Sequence, residues 1–138
     1  MRLTKNFKLR EFIESKFYDD DTQAKVWQSF NDNKDELLPN IQKLANNLQV
    51  LRDYLDKPVK INIAYRPKWY EISKGRSGNS QHVLGKAADI VVKDVKPYLI
   101  AEIIESLISD GEMLQGGLGR YDSFTHTDIR KTRARWGF

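Results

Sequence analysis

The order of periodicities along this chain predicts an α+β fold: helical spacing comes first, strand patterns follow, and one further helix lies between the strands. Three observations carry that reading. Apolar residues at Leu38, Ile41, Leu44, Leu48, Leu51 and Leu55 step by three and four residues, which places one buried stripe on an α-helix. Residues 59–65 alternate apolar and polar positions and are rich in β-branched side chains, as in a half-buried strand. The last third supplies further short strand segments, so the expected sheet is small and mainly antiparallel. A chain of 138 residues closes one hydrophobic core and is too short for two, so residues 1–138 are expected to form a single domain.

Taken in order, Phe7, Leu9, Phe12, Ile13 and Phe17 suit a short helix over residues 7–17, entered from Thr4 or Asn6. Asp19, Asp20 and Asp21 form a polar break that can cap a second helix over residues 24–30. The leucine stripe defines the third helix from Asp35. Pro39 has no amide hydrogen and fits the first turn, so the regular helix is expected to begin within a few residues of it, and Pro58 marks its end. After the strand at 59–65 comes a long polar loop, residues 66–81, containing Pro67, Gly75 and Gly78. Loops of that length in small domains usually carry function or move. Residues 86–92 read as a second strand, and residues 98–109 as a helix started by Asp94 and ended near Gly111. Segments 116–121 and 124–130 complete the sheet.

Composition removes several classes of function. The hydrophobic and charged fractions, 40% and 30%, are those of a globular domain, so disorder is excluded. There is no cysteine, which removes disulfide scaffolds, thiolate metal sites and cysteine nucleophiles together; any metal must use His, Asp or Glu. The start of the chain turns polar at Arg2, and no later run is long enough to cross a bilayer, so no signal peptide, anchor or membrane partner is expected and the chain is expected to be made in the cytoplasm. The net charge of +4 favours anionic partners in general, whether nucleic acid, wall polymer or acidic peptide. Much of it sits in the tail at Arg130, Lys131, Arg133 and Arg135, which carries no nucleic-acid recognition motif, so nucleic acid is not the expected partner.

The chemistry concentrates around the only two histidines, His82 and His126. His82 precedes Asp89 by seven residues, and His126 precedes Asp128 by two. On a strand, Asp122, Phe124, His126 and Asp128 share one face, while Thr125, Thr127 and Ile129 share the other. Asp89 interrupts an apolar run, Ala87, Ala88, Ile90, Val91 and Val92, whose burial demands a strong partner for a carboxylate, such as a metal or a hydrogen-bonded cation. Gly85 gives the intervening turn the freedom to bring His82 over Asp89. Two imidazole nitrogens and one carboxylate oxygen, with a fourth position left for water, form the donor set of a catalytic zinc site. Zinc acidifies water and polarises a carbonyl, but a carboxylate must still move the proton. Asp128 is the first candidate for that base and Asp122 the second; Asp128 pairing with Arg130 to orient a ligand is the alternative. Arg66 suits a substrate carboxylate. Trp27, Trp69 and Trp136 read as packing residues, with substrate contact an alternative for Trp69.

These residues carry a resemblance. Ser80, His82, Gly85, Ala87 and Asp89 match the Ser-x-His-x-x-Gly-x-Ala-x-Asp motif of the zinc D-alanyl-D-alanine carboxypeptidase family, and His126 and Asp128 match its distal His-x-Asp strand. The opening at residues 3–7, the Tyr65-Arg66 pair, the glycine-rich approach at 116–119 and the terminal stretch 133–136 also resemble the short, phage endolysin-like members of that family. The resemblance implies the hedgehog/DD-peptidase fold, with helices packed on one side of the sheet, and His82, Asp89 and His126 as zinc ligands. It further implies that Arg66 and Ser80 line the substrate site, that the substrate is a peptidoglycan stem peptide, and that the activity is that of a carboxypeptidase or endopeptidase acting on the cell wall as a monomer. The position three residues before the last histidine, acidic in several relatives, is Ser123 here, which leaves the base to Asp122 or Asp128. A module of the same fold that holds zinc without catalysis, serving wall binding or virion structure, is the alternative that Ser123 favours.

Overall fold

A computed structural model describes residues 1–138. Five helices and five strands follow one another as α1 (Arg10–Ile13), α2 (Asp20–Asp32), α3 (Lys34–Leu55), β1 (Lys60–Ile63), α4 (Lys68–Ser73), β2 (Ala87–Val91), α5 (Pro97–Ser109), β3 (Gly117–Arg120), β4 (Thr125–Asp128) and β5 (Ala134–Trp136). The strands form one sheet in the order β1-β2-β4-β3-β5, antiparallel except for the parallel β3–β5 pair. The expected α+β class, with a small, mainly antiparallel sheet, is therefore what the chain forms.

The leucine stripe builds the core. Leu37, Ile41, Leu44, Ala45, Leu48 and Leu51 are buried along α3, and they join Ile100, Ile104 and Leu107 of α5 and Ala88, Ile90 and Leu118 of the sheet in one cluster of 27 buried residues. Leu38 and Leu55, expected on the stripe, are only partly buried, because the helical face rotates to Leu37 at its start. Asp19 caps α2 by accepting a hydrogen bond from the Thr22 amide at 2.7 Å, as the acidic run suggested.

Several local expectations change. The first helix is a single turn, and Phe17, expected on its apolar face, is 57% exposed. Helix α3 begins at Lys34, so Pro39 lies in its second turn, where the helix forgoes the bond to the Asp35 carbonyl. The 66–81 loop contains α4. Asp94 does not start α5; it occupies a turn at φ 65°. Pro97 opens the helix, where its missing amide hydrogen costs nothing. The basic tail also contains a strand unforeseen in the sequence, β5.

The pleat divides the sheet into two faces. Ala88, Ile90, Leu118, Thr125 and Thr127 face the helices, and Thr125 donates from Oγ1 to the Pro97 carbonyl at 2.8 Å. Asp89, His126, Asp128, Gly117, Gly119 and Trp136 share the opposite face by register.

Candidate metal centre

The β2–β4 register sets Asp89 directly across from His126, so two residues far apart in sequence become cross-strand neighbours. His82 arrives from the turn before β2. The Arg66 amide donates to the His82 carbonyl at 3.2 Å, and His82 Nδ1 lies 2.6 Å from the Ala64 carbonyl, which stitches the turn to the end of β1. Gly85 closes this turn at φ 71°, and a Cβ there would stand 3.0 Å from Ile41, so the position requires glycine for both reasons.

His82, Asp89 and His126 are all buried, and one ligand atom of each lies within 4.8 Å of the others. Asp89 Oδ1 is 3.3 Å from His82 Nε2 and 3.1 Å from His126 Nδ1. The far nitrogens fix the tautomers. Nδ1–H of His82 donates to Ala64, and Nε2–H of His126 donates to Asp128 Oδ2 at 2.8 Å. Each ring therefore turns a lone pair toward the same carboxylate oxygen, and buried His82 Nε2 has no hydrogen-bond partner. Two lone pairs facing an anion repel unless a cation stands among them. The donor atoms of a tetrahedral zinc ion, at about 2.0–2.1 Å from the metal, are roughly 3.3 Å apart, so the residues present fit such an ion.

Electrostatics treats the two rings differently. Burial lowers the His82 pKa and keeps its imidazole neutral. Burial opposes charge on His126 as well, but the Asp128 and Asp89 carboxylates at its two nitrogens outweigh it and raise the pKa, so without an ion the ring favours a proton on Nδ1, which a cation bound there would displace. Burial would raise the pKa of both Asp89 and Asp128. For Asp89 the contacts from His126 and His82 reverse the sign, and for Asp128 those from His126, Arg130 and the Gly117 amide do so; both carboxylates lie below their ordinary range.

Neither candidate base, Asp128 or Asp122, borders the cleft that opens over the three residues. The Asp128 side chain has no exposed surface. Its Oδ1 accepts from the Gly117 amide at 2.8 Å and from Arg130 Nε at 2.9 Å, while Oδ2 accepts from Arg130 Nη2 at 2.7 Å and from His126. A carboxylate with its acceptor sites filled and its pKa depressed is a poor proton acceptor, so its geometry is that of a group orienting His126. Asp122 does not share the face of His126, because β4 begins only at Thr125 and residue 122 lies in the preceding turn. It is exposed and borders a separate hollow beside Lys96 and Arg120.

A cleft of about 370 Å³ opens over the three residues, with Arg66, Ser80, Arg76 and Arg130 on its walls. Arg66 Nε lies 3.0 Å from Glu71 Oε2, and the Glu71 carboxylate is 1% exposed. Ser80 Oγ is buried without a hydrogen-bond partner. Aromatic groups line the other wall. Trp136 packs 4.9 Å from the His126 ring and donates to the Tyr121 hydroxyl at 2.8 Å, and Tyr121 stacks on Phe124 at 4.3 Å. Trp69, the tryptophan weighed for substrate contact, donates instead to Ser29 Oγ at 2.8 Å and does not border this cleft. Sequence reasoning missed Glu71 and Arg76, and it read Trp136 as a packing residue without placing it against His126. Glu71 and Arg76 gave no signal inside an apparent loop, whereas the glycine-rich 116–119 segment was the available clue to Trp136: a Cβ on Gly119 would stand 2.2 Å from its Nε1.

A structural zinc site closes all four positions with protein ligands; two imidazoles and one carboxylate on the floor of an open cleft match instead the open donor set of a catalytic metal centre. Residues 10–128 match the family model described as peptidase M15, and the chain belongs to this family of zinc-dependent peptidases. No curated protein matches the chain significantly.

Proposed function

We propose that residues 1–138 act as one zinc peptidase domain that hydrolyses peptidoglycan stem peptides at the cell wall, either trimming a terminal D-alanine or cutting within the stem. The observation that supports it most is the convergence of His82 Nε2, His126 Nδ1 and Asp89 Oδ1 under an open cleft. These three residues would hold the ion, which when bound polarises the scissile carbonyl and acidifies water. Ala64 and Asp128 hold the two rings in the tautomers that leave a lone pair free. Arg66, anchored through Nε by buried Glu71, offers its terminal nitrogens to a substrate carboxylate, and Ser80 Oγ offers a hydrogen bond that no protein group takes up. The peptide reading needs no membrane segment, and no helix of the chain is long and apolar enough to cross a membrane.

One observation favours the non-catalytic alternative: Asp89 is the sole carboxylate bordering the cleft, and Glu71 and Asp128 are both engaged by arginines. Incubating purified peptidoglycan with zinc-loaded protein and assaying newly released amino groups separates the two. Release that His82→Ala abolishes, together with loss of bound zinc and a retained fold, supports the peptidase. Zinc binding with no release supports the binding module. Release by His82→Ala at the parent rate overturns the assigned centre.

A further inference from the structure

The cleft sorts its arginines into two kinds. Arg130 is matched by Asp128, with Nη2 to Oδ2 at 2.7 Å, and Arg66 is matched by Glu71, with Nε to Oε2 at 3.0 Å. Arg76 has no carboxylate within ion-pair distance and no hydrogen bond from its guanidinium, although its side chain borders the same cleft. Its backbone is not free to drift. The Arg76 amide donates to the Glu71 carbonyl at 3.0 Å, just beyond α4, and Gly75 takes a left-handed φ of 78° to make that return. Glu71 thus pairs with Arg66 through its side chain and holds the Arg76 main chain, which sets both arginines beside the same cleft.

We infer that Arg76 forms a second anion subsite, distinct from Arg66, and that the preferred substrate is an acidic peptide with two carboxylates: a chain-terminal one on Arg66 and an acidic residue's carboxylate on Arg76. The inference rests on the peptidase reading above and narrows its substrate class. A peptide with one carboxylate leaves the Arg76 guanidinium to solvent, whereas a dicarboxylate pairs it through charge-assisted hydrogen bonds in the fork geometry that arginine favours. Tyr121 and Phe124 bring no cation to the cleft, and Arg66 and Arg130 already face carboxylates, so Arg76 is the arginine of this cleft without an ionic partner.

The test uses the full zinc-loaded chain and two acetylated dipeptides ending in D-alanine, one with a glutamyl and the other with a glutaminyl residue before it. Dissociation constants are measured by calorimetry, or as competitive inhibition constants if turnover intervenes. The parent should bind the glutamyl peptide about fivefold more tightly, the upper end for an exposed ion pair, and the preference should shrink with added salt. Arg76→Gln should erase the preference, leave the affinity for the glutaminyl peptide unchanged and melt with the parent, since residue 76 is exposed; Arg76→Lys should keep part of it. Equal affinities in the parent, a preference that survives Arg76→Gln, or no measurable binding of either peptide overturns the inference. Failure of the peptidase reading is distinguishable: binding would discriminate as expected while neither dipeptide nor peptidoglycan is hydrolysed.

Discussion

Replacing Asp128 by Asn separates an orienting role from a catalytic one. The carboxylate accepts from three residues: His126 and Arg130 at Oδ2, and Gly117 and Arg130 at Oδ1. An amide of the same size keeps one acceptor oxygen and turns its NH2 toward two N–H donors, those of His126 and Arg130. His126 regains a good contact only by shifting its proton to Nδ1, which removes the lone pair facing Asp89. Loss of such a supporting partner typically costs about 10- to 100-fold in metal affinity. Breaking a buried pair costs roughly 3–5 kcal/mol. The lower end applies because the Arg130 side chain is 30% exposed. At about 2.1 cal/mol/K per residue, about 3 kcal/mol corresponds to a fall of roughly 10 °C in Tm for this chain, and a typical reserve of about 5–15 kcal/mol leaves it folded. Competition against a chromophoric chelator gives the zinc affinity, and calorimetry gives the Tm. Parent-like zinc affinity and Tm with hydrolysis reduced by about a thousandfold or more would refute the orienting role and restore Asp128 as the base.

Three other perturbations probe the frame around the site. Gly119→Ala puts a methyl group 2.2 Å from Trp136 Nε1, a clash that should displace β5. It should cost about 1–3 kcal/mol, read as a lower Tm and altered tryptophan fluorescence; an unchanged melt would mean that Trp136 does not pack there. Leu48→Ala, at a fully buried position of α3, should cost about 2–5 kcal/mol by chemical denaturation, and a cost below about 1 kcal/mol would contradict its place in the core. Glu105 anchors the tail through Arg135 at 2.7 Å, and the bond to Arg135 lowers its pKa from 4.5. A depressed carboxyl pKa contributes stability that is present above the unfolded value and lost as pH falls through the folded one. The Tm gap between the parent and Glu105→Gln should therefore be widest near neutral pH and close on acidification below about pH 4; a gap that widens in acid would reverse the assignment.

How much of this was legible in the sequence depends on the range of the forces involved. The α3 stripe and the strands around Ile61 and Ile90 announced themselves because burial imposes a local period. His82, Asp89 and His126 stood out because a carboxylate in an apolar run and two histidines in polar settings are locally anomalous. For Asp128 the sequence left base and orienting group both open: Arg130 two residues on was a visible partner, but only the sheet register brings the Gly117 amide to its Oδ1. Asp122 misled for the complementary reason: period-two counting assumes that the strand extends that far, and it begins at Thr125. Arg133 and Arg135 counted only toward a basic tail because their partner, Glu105, lies on α5.

The parallel pairing of β5 with β3 also has a bearing on when the site matures. All three candidate ligands precede β5 along the polypeptide, yet Trp136 supplies the flank of the His126 ring. During synthesis the ion's donors emerge first and their aromatic shield last, so a nascent domain reaches its finished cleft only once the sheet's outermost strand has docked. A fusion or cleavage that frees that strand would take Trp136 from the flank of the His126 ring.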